Sequence, residues 1–148
     1  MSLELNDAGF GLAEILVAIA LITIGMVALV PGFQLAVGGV DIARRQSTGV
    51  FLAEQRLEQI KAWAASTAGG QGYGSITNGS PSTAPCCAAE AYSTIAGYAD
   101  YRRQVNVSHG PTANTKTIQV QVFYTSATGA GFSTVESKVE VSTLVLRP

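Results

Sequence analysis

Glu14 is the only charged side chain between Asp7 and Asp41. An apolar run, Ile15-Leu16-Val17-Ala18-Ile19-Ala20-Leu21-Ile22-Thr23-Ile24-Gly25-Met26-Val27-Ala28-Leu29-Val30, follows it at once. Phe10, Gly11, Leu12 and Ala13 precede it, so the carboxylate belongs to the hydrophobic segment. A charge at the centre of a membrane span costs ~2.5–3.5 kcal/mol on insertion scales and less near the interface. A carboxylate placed there is a functional hypothesis that calls for a cation in the same plane. No Lys or Arg precedes Arg44. Cutting the chain would make a cation, because a new α-amine is positive near neutral pH. The chemistry on offer is therefore charge pairing, with the partner supplied by backbone cleavage.

The other reactive side chains are few. Cys86 and Cys87 are neighbours, not the two ends of a C-x-x-C metal pair. They could be free, joined to each other in a strained small ring, or bonded to another chain. Two cysteines and one histidine give no structural zinc site. His109 precedes Gly110-Pro111 and reads as a turn residue. Ser108 beside it is no nucleophile–base constellation. Arg102-Arg103 reads as one residue on each face of a strand rather than a phosphate clamp. Phosphate loops, dinucleotide fingerprints and paired-carboxylate signatures are missing from the sequence. The reading is a protein without a cofactor or metal, and not an enzyme.

The elements that position Glu14 begin with the apolar run. A span needs about 20 apolar residues, and Ile15 to Leu35 supplies them with Pro31, Gly32 and Gln34 near one end. A buried core helix would need amphipathic periodicity and more surrounding protein than 148 residues provide. A cleavable secretory signal would need a basic start and a shorter apolar stretch, whereas Met1 to Gly9 holds no Lys or Arg. Charged residues are 13% of the chain against ~25% in an average domain. Lys plus Arg number 9 and Asp plus Glu 10, which argues against a basic field for nucleic acid.

Gly9-Phe10-Gly11-Leu12-Ala13-Glu14, followed by the apolar run, resembles the class III signal of type IV pilins and pseudopilins. The resemblance implies that a prepilin peptidase and N-methyltransferase cuts between Gly9 and Phe10 and methylates the Phe10 amine. It implies that Glu14 pairs with the N-terminal amine of a neighbouring subunit during assembly. Phe10 and Glu14 are four residues apart, about 6 Å along a helix, so an axial step of that size brings the two charges together. Pro31 falls where major pilins commonly carry a proline that kinks the helix. Gly25 in its Leu21–Met26 setting, and Leu52-Ala53-Glu54-Gln55-Arg56-Leu57-Glu58-Gln59-Ile60-Lys61-Ala62-Trp63, resemble the V-type minor pilins. The leader carries Glu4 and Asp7 where the family usually has a basic residue.

Past the apolar run, Val50, Ala53, Leu57, Ile60 and Ala64 recur at helical spacing. Asp41 with Arg44 and Arg45, and Glu58 with Lys61, stand at i,i+3 or i,i+4. Gly38 and Gly39, with Pro31, suggest a flexible join between the two halves of one long helix. Ser66 to Asp100 is rich in Gly, Ser, Thr, Ala and Pro and reads as a long loop with one helical turn near Ala88–Tyr92. Tyr101 to Val107, Ile118 to Tyr124 and Val135 to Val145 alternate with period two and predict half-buried antiparallel strands. The turns are His109-Gly110-Pro111 and Ser126–Gly131.

The expected fold is α+β and pilin-like: a long N-terminal helix whose C-terminal half packs on a small antiparallel sheet. The expected divisions are a leader over 1–9, a membrane and filament-core helix over 10–40 and an amphipathic half over 41–65. A variable loop over 66–100 and a sheet headgroup over 101–148 complete them. The implied role is a structural minor subunit of a type IV pilus, placed at the tip or acting in initiation. A pseudopilin of a type II secretion system and a non-polymerising membrane-anchored periplasmic module are the alternatives. The implied partners are the peptidase, other pilins or pseudopilins, the inner-membrane assembly platform and the lipid bilayer, with nucleic acid left open. The implied topology is a single pass through the inner membrane, N-terminus cytoplasmic and headgroup periplasmic, followed by the pilus surface.

Overall fold

The computed structural model describes residues 11–125 and 136–147. The elements are a helix α1 (Leu12–Ala65), and strands β1 (Tyr101–His109), β2 (Thr115–Thr125) and β3 (Glu136–Leu146). The expected turn Ser126–Gly131 lies outside the described residues. The chain divides into two compact units at Val40/Asp41.

In the first unit, α1 runs from Leu12 through Pro31 without interruption. Its apolar side chains lie uncovered among the described residues: Leu21, Ile24, Met26 and Phe33 are all about two-thirds exposed. A helix that is apolar all round and uncovered is stable in water only when something else buries it. Its one 18-residue apolar window is long enough to cross a membrane.

In the second unit, the rest of α1 supplies one wall of a core. Ala53, Leu57, Ile60 and Ala64 are buried, at the 3- and 4-residue spacing that lines one helix face, and Leu52 is buried beside them. Val50 is half-buried and Leu52 takes its place in the stripe. The opposite wall is a three-stranded antiparallel sheet in the order β1-β2-β3. Its register sets Val105 opposite Val120 and Val120 opposite Val141, with Arg103 opposite Val122 and Val122 opposite Val139. The alternation read from the sequence is real: Tyr101, Arg103, Val105 and Val107 of β1 are buried and their neighbours half-buried. The outer face is a carboxamide ladder. Gln104 donates to Gln121 at 2.8 Å, and Gln121 donates on to Glu140 at 2.9 Å. Such cross-strand pairs satisfy polar groups that the pleat crowds together.

The segment from Ser66 to Asp100 is better ordered than its composition suggests. In the last turn of α1, the Trp63 carbonyl accepts from the Ser66 and Gly72 N–H groups. Gly70 and Gly72 adopt positive φ there, a conformation that favours glycine. The helical turn expected near Ala88–Tyr92 is absent. The 3-10 turns fall at Tyr73–Ser75 and Pro85–Cys87 instead. Pro85 is preset for the first position of a turn. The Glu90 backbone is engaged in an antiparallel bridge to Arg103. A second bridge joins Gly79 to Val107. These bridges cover the outer edge of β1, which would otherwise present unpaired backbone groups.

Candidate processing and assembly segment

The segment is built on the first turns of α1. The Glu14 and Ile15 N–H groups donate to the Gly11 carbonyl at 2.9 and 3.3 Å, so the helix starts immediately after Gly11. Glu14 lies in the first turn, where the unsatisfied N–H groups give the helix end a positive partial charge that favours a carboxylate. The positions that follow, Ile15, Leu16 and Val17, are exposed aliphatic side chains. Thr23, the first polar residue after Glu14, turns its hydroxyl inward and donates to the Ile19 carbonyl at 2.7 Å. Over Leu12–Phe33 the helix therefore presents one carboxylate among apolar side chains. When that surface is buried against lipid or other helices, Glu14 is the group that still needs a counter-charge. Gly9 and Phe10 lie outside the described residues. Pro31 lies inside the helix, and its missing N–H removes one backbone hydrogen bond there.

The remaining candidates fall in the second unit. Cys86 and Cys87 are buried free thiols on the 3-10 turn Pro85–Cys87. His109 is exposed, and its Nε2 lies 2.8 Å from the Asn78 side-chain amide nitrogen. The two arginines part company, one to each face. Arg103 is buried, paired with Glu90 and donating to the Leu52 carbonyl at 3.0 Å. Arg102 makes a two-pronged contact with Glu136 at 2.7 and 2.8 Å and lies over the Phe123 ring. Tyr92 donates to the same carboxylate at 2.5 Å. These hydrogen bonds, Arg102 first and Tyr92 second, hold the Glu136 carboxyl down at about 2. Both arginines are thus committed to intramolecular carboxylates. Among the described residues no group of three or more His, Cys, Asp or Glu side chains converges as a metal site would.

Sequence reasoning missed the Glu90–Arg103 pair. Its signal was present: Arg103 sits on the buried side of an alternating strand, and a buried guanidinium requires an anion. Which of the nearby carboxylates supplies it depends on the path of the loop.

A family model described as the prokaryotic N-terminal methylation motif matches residues 5–30. Comparison with curated proteins and with solved structures found no match. The matched residues include the Gly9–Phe10 junction, Glu14 and most of the uncovered apolar helix. That motif, carried on that helix, supports a likeness to type IV pilin-like and pseudopilin proteins.

Proposed function

We propose that the chain is a structural minor subunit of a type IV pilus. One observation carries the reading: a single carboxylate in the first turn of an uncovered apolar stretch of helix, inside the methylation motif. Prepilin peptidase cuts between Gly9 and Phe10, and the new Phe10 amine is methylated. Residues 10–40 hold the chain in the inner membrane with the N-terminus cytoplasmic, then pack in the filament core. Glu14 accepts the N-terminal ammonium of a neighbouring subunit, and Pro31 loosens the helix along the core. Residues 41–65 form the amphipathic half, 66–100 the variable loop and 101–148 the sheet headgroup, which faces outward at the tip. The pairing acts by selection. In a low-dielectric bundle an ammonium or carboxylate without its partner is strongly disfavoured, so only the register that joins them persists. The likeness of Gly25 and of Leu52–Trp63 to V-type minor pilins favours a pilus over a secretion-system filament.

The test is the mass of the N-terminus after expression with a prepilin peptidase. The expected product has 139 residues, the full 148 less the nine-residue leader, and begins with methylated Phe10. Gly9→Glu is expected to leave the precursor uncut. Intact Met1 in cells that process another prepilin would refute the reading in favour of a plain membrane anchor.

A further inference from the structure

Cys86 and Cys87 lie outside the methylation motif. Both belong to the hydrophobic core, Cys87 fully buried and Cys86 6% exposed. Their sulfur atoms lie 2.7 Å apart as free thiols. Burial keeps the sulfur of a second chain away, while adjacency in sequence keeps the two within reach of each other. The pair is also electrically asymmetric. A hydrogen bond from Cys87 is the main influence holding the Cys86 thiol below its ordinary range; burial opposes this and Arg56 assists it. The same hydrogen bond and burial push Cys87 up. Arg56 reaches the turn directly, donating to the Ala88 carbonyl at 3.2 Å.

The position of the turn gives the pair a consequence. It lies between the two bridges that cover β1, Gly79 on one side and Glu90 on the other. We infer that Cys86 and Cys87 are the site of a vicinal disulfide within one chain, a redox-labile clip on the segment that covers the edge of β1. The oxidant is a small-molecule disulfide, which reaches Cys86, the less buried of the two. The Cys86 thiolate attacks one of its sulfurs and expels a thiolate, leaving a mixed disulfide. Cys87 gives its proton to the expelled thiolate and attacks Cys86 Sγ; the second thiolate leaves and takes up the proton that Cys86 gave to solvent. Two thiols and one external disulfide become one internal disulfide and two external thiols. Adjacent Cα atoms are ~3.8 Å apart, below the usual disulfide range of ~4.4–6.8 Å. The ring is therefore strained, and a mild dithiol reopens it.

The test needs neither processing nor assembly. The full chain, in detergent, is equilibrated with oxidised glutathione, quenched in acid, denatured and treated with a mass-tagging maleimide. The expected species is a monomer lighter by two hydrogens that takes no tag, and that takes two tags after reduction. Two tags without reduction, a retained glutathione adduct or a disulfide-linked dimer would each overturn the inference. Limited proteolysis between residues 76 and 100 reads the clip. Cleavage of the oxidised protein is expected several-fold slower than that of its reduced form. The Cys86→Ser/Cys87→Ser variant should show no such dependence on oxidant. Equal rates for oxidised and reduced wild type would remove the clip role.

Discussion

Glu90→Ala should destabilise the second unit far more than a loop substitution ordinarily does. Its partner Arg103 is 4% exposed at the side chain, against 27% for Glu90. The guanidinium also donates to the Leu52 carbonyl at 3.0 Å, so it cannot leave without dismantling the helix–sheet contact. Removing one member of a buried pair costs ~3–5 kcal/mol, because the other charge stays behind uncompensated. Glu90 is partly wetted, which lowers the expectation to ~2–3 kcal/mol. With a urea slope of ~1.5 kcal/mol per molar, the midpoint should fall by about 1.3–2 M. The full chain in detergent micelles reports this through Trp63, its single tryptophan, whose ring N–H donates to Ser75 at 2.8 Å. The double replacement Glu90→Leu/Arg103→Met leaves no stranded charge and should return to within ~1 kcal/mol of wild type. A midpoint shift below about 0.3 M for Glu90→Ala would show that Arg103 is solvated and that the reasoning fails. Burial pushes the Glu90 carboxyl up, but Arg103, by hydrogen bond and charge, outweighs it and leaves the group below its ordinary value. The pair's contribution is therefore full above the unfolded carboxylate pKa of ~4.3 and disappears as pH falls through the lower folded value.

Three further outcomes are expected. Glu14→Ala should enter the membrane normally. Stranding the partner ammonium at ~2.5–3.5 kcal/mol should cut its recovery in sheared filaments by about 100-fold; wild-type recovery would sink the pairing role. The Glu136 carboxyl, held at about 2 by Arg102 and Tyr92, stabilises the fold above the unfolded carboxylate pKa and loses that contribution as pH falls toward 2. The Glu136 side chain is more than a third exposed, so the loss should be no more than ~1 kcal/mol. Glu136→Gln should flatten the acid limb of a stability-against-pH curve by that amount, and an unchanged limb would count against the geometry. Gly110→Ala would set a Cβ 2.2 Å from the Thr115 hydroxyl oxygen and 2.9 Å from the Thr115 carbonyl carbon. The β1–β2 turn must shift to admit it, at ~1–3 kcal/mol in urea unfolding, and a neutral result would mean that the turn is looser than it looks.

Much of this protein was legible in one dimension because its signals are local. The apolar run after Glu14 needs no folding to be recognised, since hydropathy and charge are properties of consecutive residues. The strands declared themselves by period two, and the register bears this out in the Val105–Val120–Val141 row. The Asp41–Arg45 and Glu58–Lys61 pairs, at 2.9 and 2.8 Å, followed from helix spacing. The segment from Ser66 to Asp100 was illegible for the converse reason. Its backbone order comes from bonds to β1, with Gly79 joined to Val107 and Glu90 to Arg103. Nothing in a run of Gly, Ser and Ala states which distant strand will receive it. Leu52 was overlooked because the stripe is wider than a strict 3-4 repeat, and the sheet decides which flanking residue is covered.

The sequence by itself determined the uncovered helix, its lone carboxylate and the methylation motif, because each rests on residue types at fixed short spacing. Only the tertiary structure decided that Arg103 takes Glu90 as its partner, that Arg102 takes Glu136, and that two adjacent thiols sit buried in the turn against β1. Those choices join residues 13 to 34 positions apart or depend on what closes over a side chain. Both are settled by how the chain packs, not by which residues stand next to each other.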